Sequence, residues 1–224
     1  MRARPTSLLA LGLCLTSLGS ATAQVSLREL PNVARARAER LRPKQVAALE
    51  PFWADLALTY DGNEEFLDRR IREAADLGDS VVPLLLEKLK PAQNTDSARD
   101  LAGNCRRVLL LLDPGSFVDA LAELARGTHG IARQEAIKLL GRADVPQAVT
   151  VLGELAARAN GWDLRHVVRS LRELAAPGPA AQVVKLLGTG DRGLRQDVLA
   201  YLTAAEARAV APTVVQALSA ESDD

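Results

Sequence analysis

The residues best suited to chemistry in this 224-residue chain are few and scattered. Two cysteines, Cys14 and Cys105, and two histidines, His129 and His166, are the whole stock of thiol and imidazole groups. No pair of them stands at metal-ligand spacing, so no metal site is expected. Ser80, Ser116 and Ser170 lack the Gly-x-Ser-x-Gly setting of an activated serine, and Cys105 has Arg106 and Arg107 beside it but no evident base. The run Gly188-Thr189-Gly190-Asp191-Arg192-Gly193 has the glycines of a phosphate loop without its lysine or a preceding strand, and reads as a turn. Asp61-Gly62-Asn63-Glu64-Glu65 lacks the length of a calcium loop and reads as a helix start, with Asp61 or Asn63 as cap. These absences predict a protein that is not an enzyme and that needs no cofactor.

Binding chemistry is better represented. Arg165, Arg169 and Arg172 follow an i, i+4, i+7 spacing and so share one helical face, with Trp162 and His166 nearby. Basic groups beside an aromatic suit a phosphate, an acidic glycan or an acidic peptide. The same residues also make an ordinary solvated face, diluted by Asp163 and Glu173. A second set, Arg99, Arg133, Arg165 and Arg195, recurs at similar but shrinking intervals along the chain. Such a ladder can be a row of anion contacts, or a set of ion pairs between neighbouring helices with Asp100, Glu135 and Asp197 as partners.

The elements that must carry these residues are marked by proline. Pro83, Pro114, Pro146, Pro179 and Pro212 recur at nearly equal intervals, and Leu89, Leu121, Leu152, Leu186 and Leu218 follow them. Proline suits the first turn of a helix, where its missing N–H would have had no partner. Each proline therefore opens the second helix of a repeat. Ahead of each runs another amphipathic stretch, such as Ala132, Ala136, Leu139 and Leu140, or Leu164, Val168, Leu171 and Leu174. Gly127, Gly130, Gly161, Gly188, Gly190 and Gly193 fall between units and fit left-handed helix ends, with Thr128, Asp163 and Asp191 available as caps. Aromatics make up only 3% of the chain, which favours closely packed helices over a sheet.

A period of about 32 residues, proline-opened second helices and a recurring arginine together resemble HEAT repeats, in the short HEAT-like form also found in phycobilisome lyase-type families. Tetratricopeptide arrays have a similar period, but their aromatic and glycine landmarks are missing here. The resemblance implies an all-α fold, an α-solenoid of about five helix-turn-helix repeats stacked as a right-handed superhelix. The array is expected over residues 63–220, after a linker and capping helix at 24–62 that includes Phe52 and Trp53, with an acidic tail at 221–224. Concave lining positions are expected at Glu87, Gln147, Lys185 and Gln216.

The segment 1–23 carries Arg2 and Arg4, an apolar run from Leu8 to Leu18 and a small-residue end at Ala21-Thr22-Ala23. It predicts a signal peptide cleaved before Gln24 and a periplasmic or extracellular protein. The apolar run falls short of the ~20 residues that span a bilayer, so no membrane span is expected in the mature chain. Loss of the segment's two arginines leaves 26 basic against 28 acidic side chains, a net charge of −2 that gives no reason to expect nucleic acid. A basic stretch at 28–44 reads as a solvated face, and Cys105, the sole cysteine of the mature chain, as a buried thiol. The function expected is a protein or peptide interaction scaffold, monomeric or weakly self-associating. The alternatives are an enzyme accessory of the lyase-like kind and a self-associating envelope protein.

Overall fold

The computed structural model describes residues 49–221; the predicted signal peptide, the basic stretch at 28–44 and positions 222–224 of the acidic tail lie outside them. Helix follows helix, with no strand among the described residues. The helices are α1 (Glu50–Leu56), α2 (Glu64–Ala75), α3 (Val82–Lys88), α4 (Asp96–Leu111), α5 (Val118–Arg126), α6 (Gly130–Leu140), α7 (Pro146–Ala156), α8 (Gly161–Leu174), α9 (Ala180–Val183), α10 (Arg192–Ala204) and α11 (Ala211–Glu221). Short 3-10 turns at Gly78–Val81, Pro114–Phe117, Val184–Gly188 and Arg208–Val210 join them. None of these helices is long and apolar enough to cross a membrane.

All five prolines fall at or beside the start of a helical segment, but not of one kind. Pro83 and Pro146 sit in the first turn of α3 and α7, and Pro212 follows the first residue of α11. Pro114 opens a 3-10 turn instead, with α5 beginning only afterwards, at Val118. Pro179 is the N-cap of α9, a single turn of helix before the backbone tightens into the 3-10 turn Val184–Gly188. The predicted second helix is therefore broken in that unit. Pro51 lies in the first turn of α1 and makes no bend.

Packing is between neighbours. Helices α2, α4, α6, α8 and α10 touch in succession, α5 packs on α6 and α7, and α7 packs on α8. One continuous apolar core results, and it is built on a strict interval. Leu109, Leu140, Leu171 and Leu202 are four equally spaced leucines, all buried. Cys105, Ala136, Val167 and Val198 form a second column at the same spacing, each fully buried. Small residues in that column let adjacent helices approach. At the end of α6 a Cβ on Gly141 would meet Ser170 Cβ at 2.7 Å.

Buried polar side chains close the helix ends that this packing covers. Ser170 Oγ donates to the Ile137 carbonyl at 2.9 Å, and one period later Tyr201 Oη donates to the Ala176 carbonyl at 2.8 Å. Asn104 Nδ2 donates to the Leu56 and Leu58 carbonyls at 2.9 and 3.2 Å. Leu56 ends α1 and Ala176 follows the end of α8, where carbonyls lack an intrahelical donor, whereas the Ile137 carbonyl accepts from Gly141 N as well. The N-terminal caps are Thr95 for α4, accepting from Ala98 N, and Asp191 for α10, accepting from Leu194 N at 3.0 Å.

Three expectations about ends need correction. Asn63 occupies the N-cap of α2, but its side chain donates back to the Thr59 carbonyl, and Glu64 accepts from Gly62 N instead. Asp163 does not cap α8; it lies inside the helix, where Arg133 reaches it. Of the inter-repeat glycines only Gly161 has a positive φ, at +52°. The left-handed positions after helices fall instead on Asp113, Ala175 and Glu206, at φ 54°, 49° and 46°.

Candidate functional site

The strict register that orders the core also orders a column of polar residues at its edge: Asn104, Glu135, His166 and Asp197. At i+3 from the first three of these stand Arg107, Lys138 and Arg169, one helical turn away on the same face. This column shares the helix-to-helix polar contacts with two members of the arginine ladder, Arg133, which reaches Asp163, and Arg165, which reaches Asp197. It escapes sequence reading because its chemistry changes from amide to carboxylate to imidazole while only the interval is kept.

Glu135 is buried between α4 and α6, with Arg106 Nε from α4 and Lys138 Nζ from its own helix each 2.6 Å away. Asp197 is buried between α8 and α10, with Arg169 Nε 3.1 Å from both of its oxygens and Arg165 Nε 3.5 Å from Oδ2. Both carboxylates are therefore held by guanidinium from the preceding first helix, as a buried carboxylate must be. Between them, Arg133 Nε lies 3.3 Å from Asp163 Oδ2.

His166 breaks the pattern. It occupies the place of Glu135 and Asp197 in the intervening unit, is half-buried, and has no hydrogen-bond partner among the described residues. Burial lowers its pKa first, and the charges of Lys138 and Arg169 lower it further, against the opposing pull of Glu135 and Asp163. The two cations that act on the ring, Lys138 and Arg169, are matched by two carboxylates, Glu135 and Asp163.

The residues singled out on α8 do come together. Trp162 is 68% exposed, the most exposed large hydrophobic side chain among the described residues. The guanidinium of Arg165 sits over its ring, 5.5 Å from the centroid. That guanidinium crosses Gly193 at the start of α10 so closely that a Cβ there would collide with it. Arg169 and Arg172 continue the exposed side of the helix. Indole face, cation and the His166 position thus share one helix surface.

The other ladder arginines behave separately. Arg99 is 57% exposed and pairs within its own helix, to Asp96 at 2.8 Å and to Asn94 Oδ1 at 3.0 Å. It divides two clefts, one of about 360 Å³ bounded by Gln134, Glu135 and Lys138, the other of about 390 Å³ bounded by Tyr60, Arg106 and Arg107. Arg195 Nη1 donates to the Thr189 carbonyl at 3.2 Å. On the second-helix side a cleft of about 510 Å³ runs between α7 and α9, over Val149, Gly153, Arg158 and Gln182. Glu87, Gln147, Lys185 and Gln216 are all exposed, and Gln147 bonds Asp119 across α5 and α7 at 2.5 Å.

Cys105 is buried in α4, where loss of solvent pushes its thiol up to about 12. A thiol so raised is not a nucleophile at neutral pH. Among the described residues no three His, Cys, Asp or Glu side chains are grouped so as to hold a metal ion. His129 lies apart from His166, its Nε2 2.7 Å from the Pro91 carbonyl. No protein-family model, no curated protein and no solved structure matches the chain.

Proposed function

We propose that the chain is an exported interaction module, a HEAT-like solenoid of about five helical pairs that holds an acidic segment of a partner protein on the surface centred on α8. The observation that carries the reading is the basic face of α8, where Arg165 and Arg169 share Asp197 and Arg172 stands exposed beside them, set next to a tryptophan left largely in solvent. Cations in excess of their internal partners attract anionic side chains, and an exposed indole adds a flat apolar contact. The succession of helices supports the solenoid reading, since stacked pairs bury a shared core and leave long side surfaces. Export rests on the apolar run from Leu8 to Leu18 and the small-residue end at Ala23. The surface holds and orients its partner, with no catalysis of its own.

Trp162 supplies the assay. Trp53, the other tryptophan, is 5% exposed, so quenching of a long-wavelength emission reports on Trp162 alone. Titration with a glutamate-rich peptide is expected to shift that emission at low salt and to lose effect as salt rises, while a lysine-rich peptide leaves it unchanged. Arg172→Gln, which alters an exposed side chain, should weaken the response several-fold, and Trp162→Phe should remove it. Equal responses to both peptides would refute the acidic-segment reading.

A further inference from the structure

The column Asn104, Glu135, His166 and Asp197 gives each unit one polar residue at the junction of successive first helices. Where that residue is a carboxylate, cations close on it: Arg106 and Lys138 on Glu135, Arg165 and Arg169 on Asp197. At His166 the carboxylate is missing. The neighbouring cations pair at the flanking positions, Lys138 with Glu135 on its own helix and Arg169 with Asp197 of α10. Asp163, one turn before His166, is already held by Arg133. Between α6 and α8 an imidazole thus stands where the neighbouring positions of the column place a buried acid.

We propose that the carboxylate absent from the His166 position is supplied by the bound partner, whose acidic side chain lies between Lys138 and Arg169 and is hydrogen-bonded by a protonated His166, making the grip tighten as pH falls. The inference rests on the acidic-segment reading and adds the anchoring position and its regulation. The charged groups facing the imidazole are Lys138 and Glu135 from α6 and Asp163 and Arg169 from α8 itself, with Asp197 of α10 engaged beyond Arg169. In the free protein, burial and the two cations keep the ring neutral at pH 7. A carboxylate arriving beside it reverses the local field and favours the imidazolium. The ligand therefore binds together with a proton, and its affinity rises as pH falls from the His pKa of the complex towards that of the free protein, by about tenfold per pH unit at most.

The test uses calorimetric titration of a tetraglutamate peptide into the chain between pH 8 and 6, with thermal melting of the unliganded protein alongside. The wild type is expected to bind about tenfold more tightly at pH 6 than at pH 8. His166→Gln, neutral throughout, should bind with a flat pH profile. His166→Glu should bind no peptide and, by restoring the internal acid, melt higher than wild type by on the order of 2 °C. Peptide binding that does not change between pH 6 and 8 overturns the inference and leaves the acidic-segment reading standing. No binding at any pH defeats that reading. A His166→Glu protein that melts no higher shows that no acid is missing there, whatever the peptide does.

Discussion

Ala175 ends α8 in the left-handed region, at φ 49° and ψ 30°, although its Cβ makes that conformation unfavourable. Shortly afterwards Pro177 stops any continuation, and Ala176 must present its carbonyl to Tyr201, so the turn is fixed from both sides. Glycine removes the steric cost while adding some freedom to the unfolded chain, so Ala175→Gly is expected to stabilise the protein by about 0.5–1 kcal/mol. Gly161→Ala, at φ +52° in open space, is expected to destabilise by a similar amount, because only the backbone objects to the methyl group. Chemical denaturation of both variants checks the pair, and a loss of stability in Ala175→Gly would show that the angle carries no strain. The two positions mark a limit of sequence reading. Glycine advertises a left-handed site but does not require one, as Gly127 at φ −69° illustrates, and an alanine forced into one gives no sign of it.

Helices α8 and α10 are joined by a hydrogen bond that recurs one unit earlier. Tyr201 donates to Ala176 at the end of α8, as Ser170 does to Ile137 near the end of α6. Tyr201→Phe keeps the ring and removes the donor to a part-buried carbonyl, so a loss of about 1 kcal/mol is expected. Burial also pushes the Tyr201 phenol up to about 12, so in the native protein its ultraviolet titration should fall near that pH and vanish in the variant. A Tyr201→Phe protein as stable as wild type would mean that water serves the carbonyl instead. The second helices were legible because proline has one dominant use near a helix start, though the break after α9 was not, since nothing in Val184-Lys185-Leu186-Leu187 distinguishes a 3-10 turn from a helix. The i, i+4, i+7 basic face of α8 was legible too. What sequence reading missed was the column from Asn104 to Asp197, because residue type was followed where only position repeats.

Taken together, the described helices form a chain of neighbours: α2 meets α4, α4 meets α6, α6 meets α8, and α8 meets α10. If these helices are the repeat array proposed above, stability is a sum of unit terms and interface terms, and a defect propagates only as far as the coupling between units carries it. The leucine column provides matched defects. Leu109→Ala and Leu202→Ala each remove a buried leucine from the same place in different units, at an expected cost of about 2–5 kcal/mol. Hydrogen exchange under native conditions should then separate them. Leu202→Ala is expected to raise exchange in α10 and α11, less so in α8, and to leave α2 and α4 protected as in wild type, whereas Leu109→Ala should loosen α4 and its neighbours α2 and α6 first. If either substitution instead raises exchange uniformly from α2 to α11, the molecule unfolds as one cooperative body and the repeat description of its energetics fails. The distinction bears on the α8 surface, which sits next to the last stacked interface and carries Arg165 and Arg169 on Asp197 of α10. If coupling is local, Leu202→Ala should release those two arginines from Asp197 and change peptide affinity at α8, while Leu109→Ala, farther down the stack, should leave it unchanged.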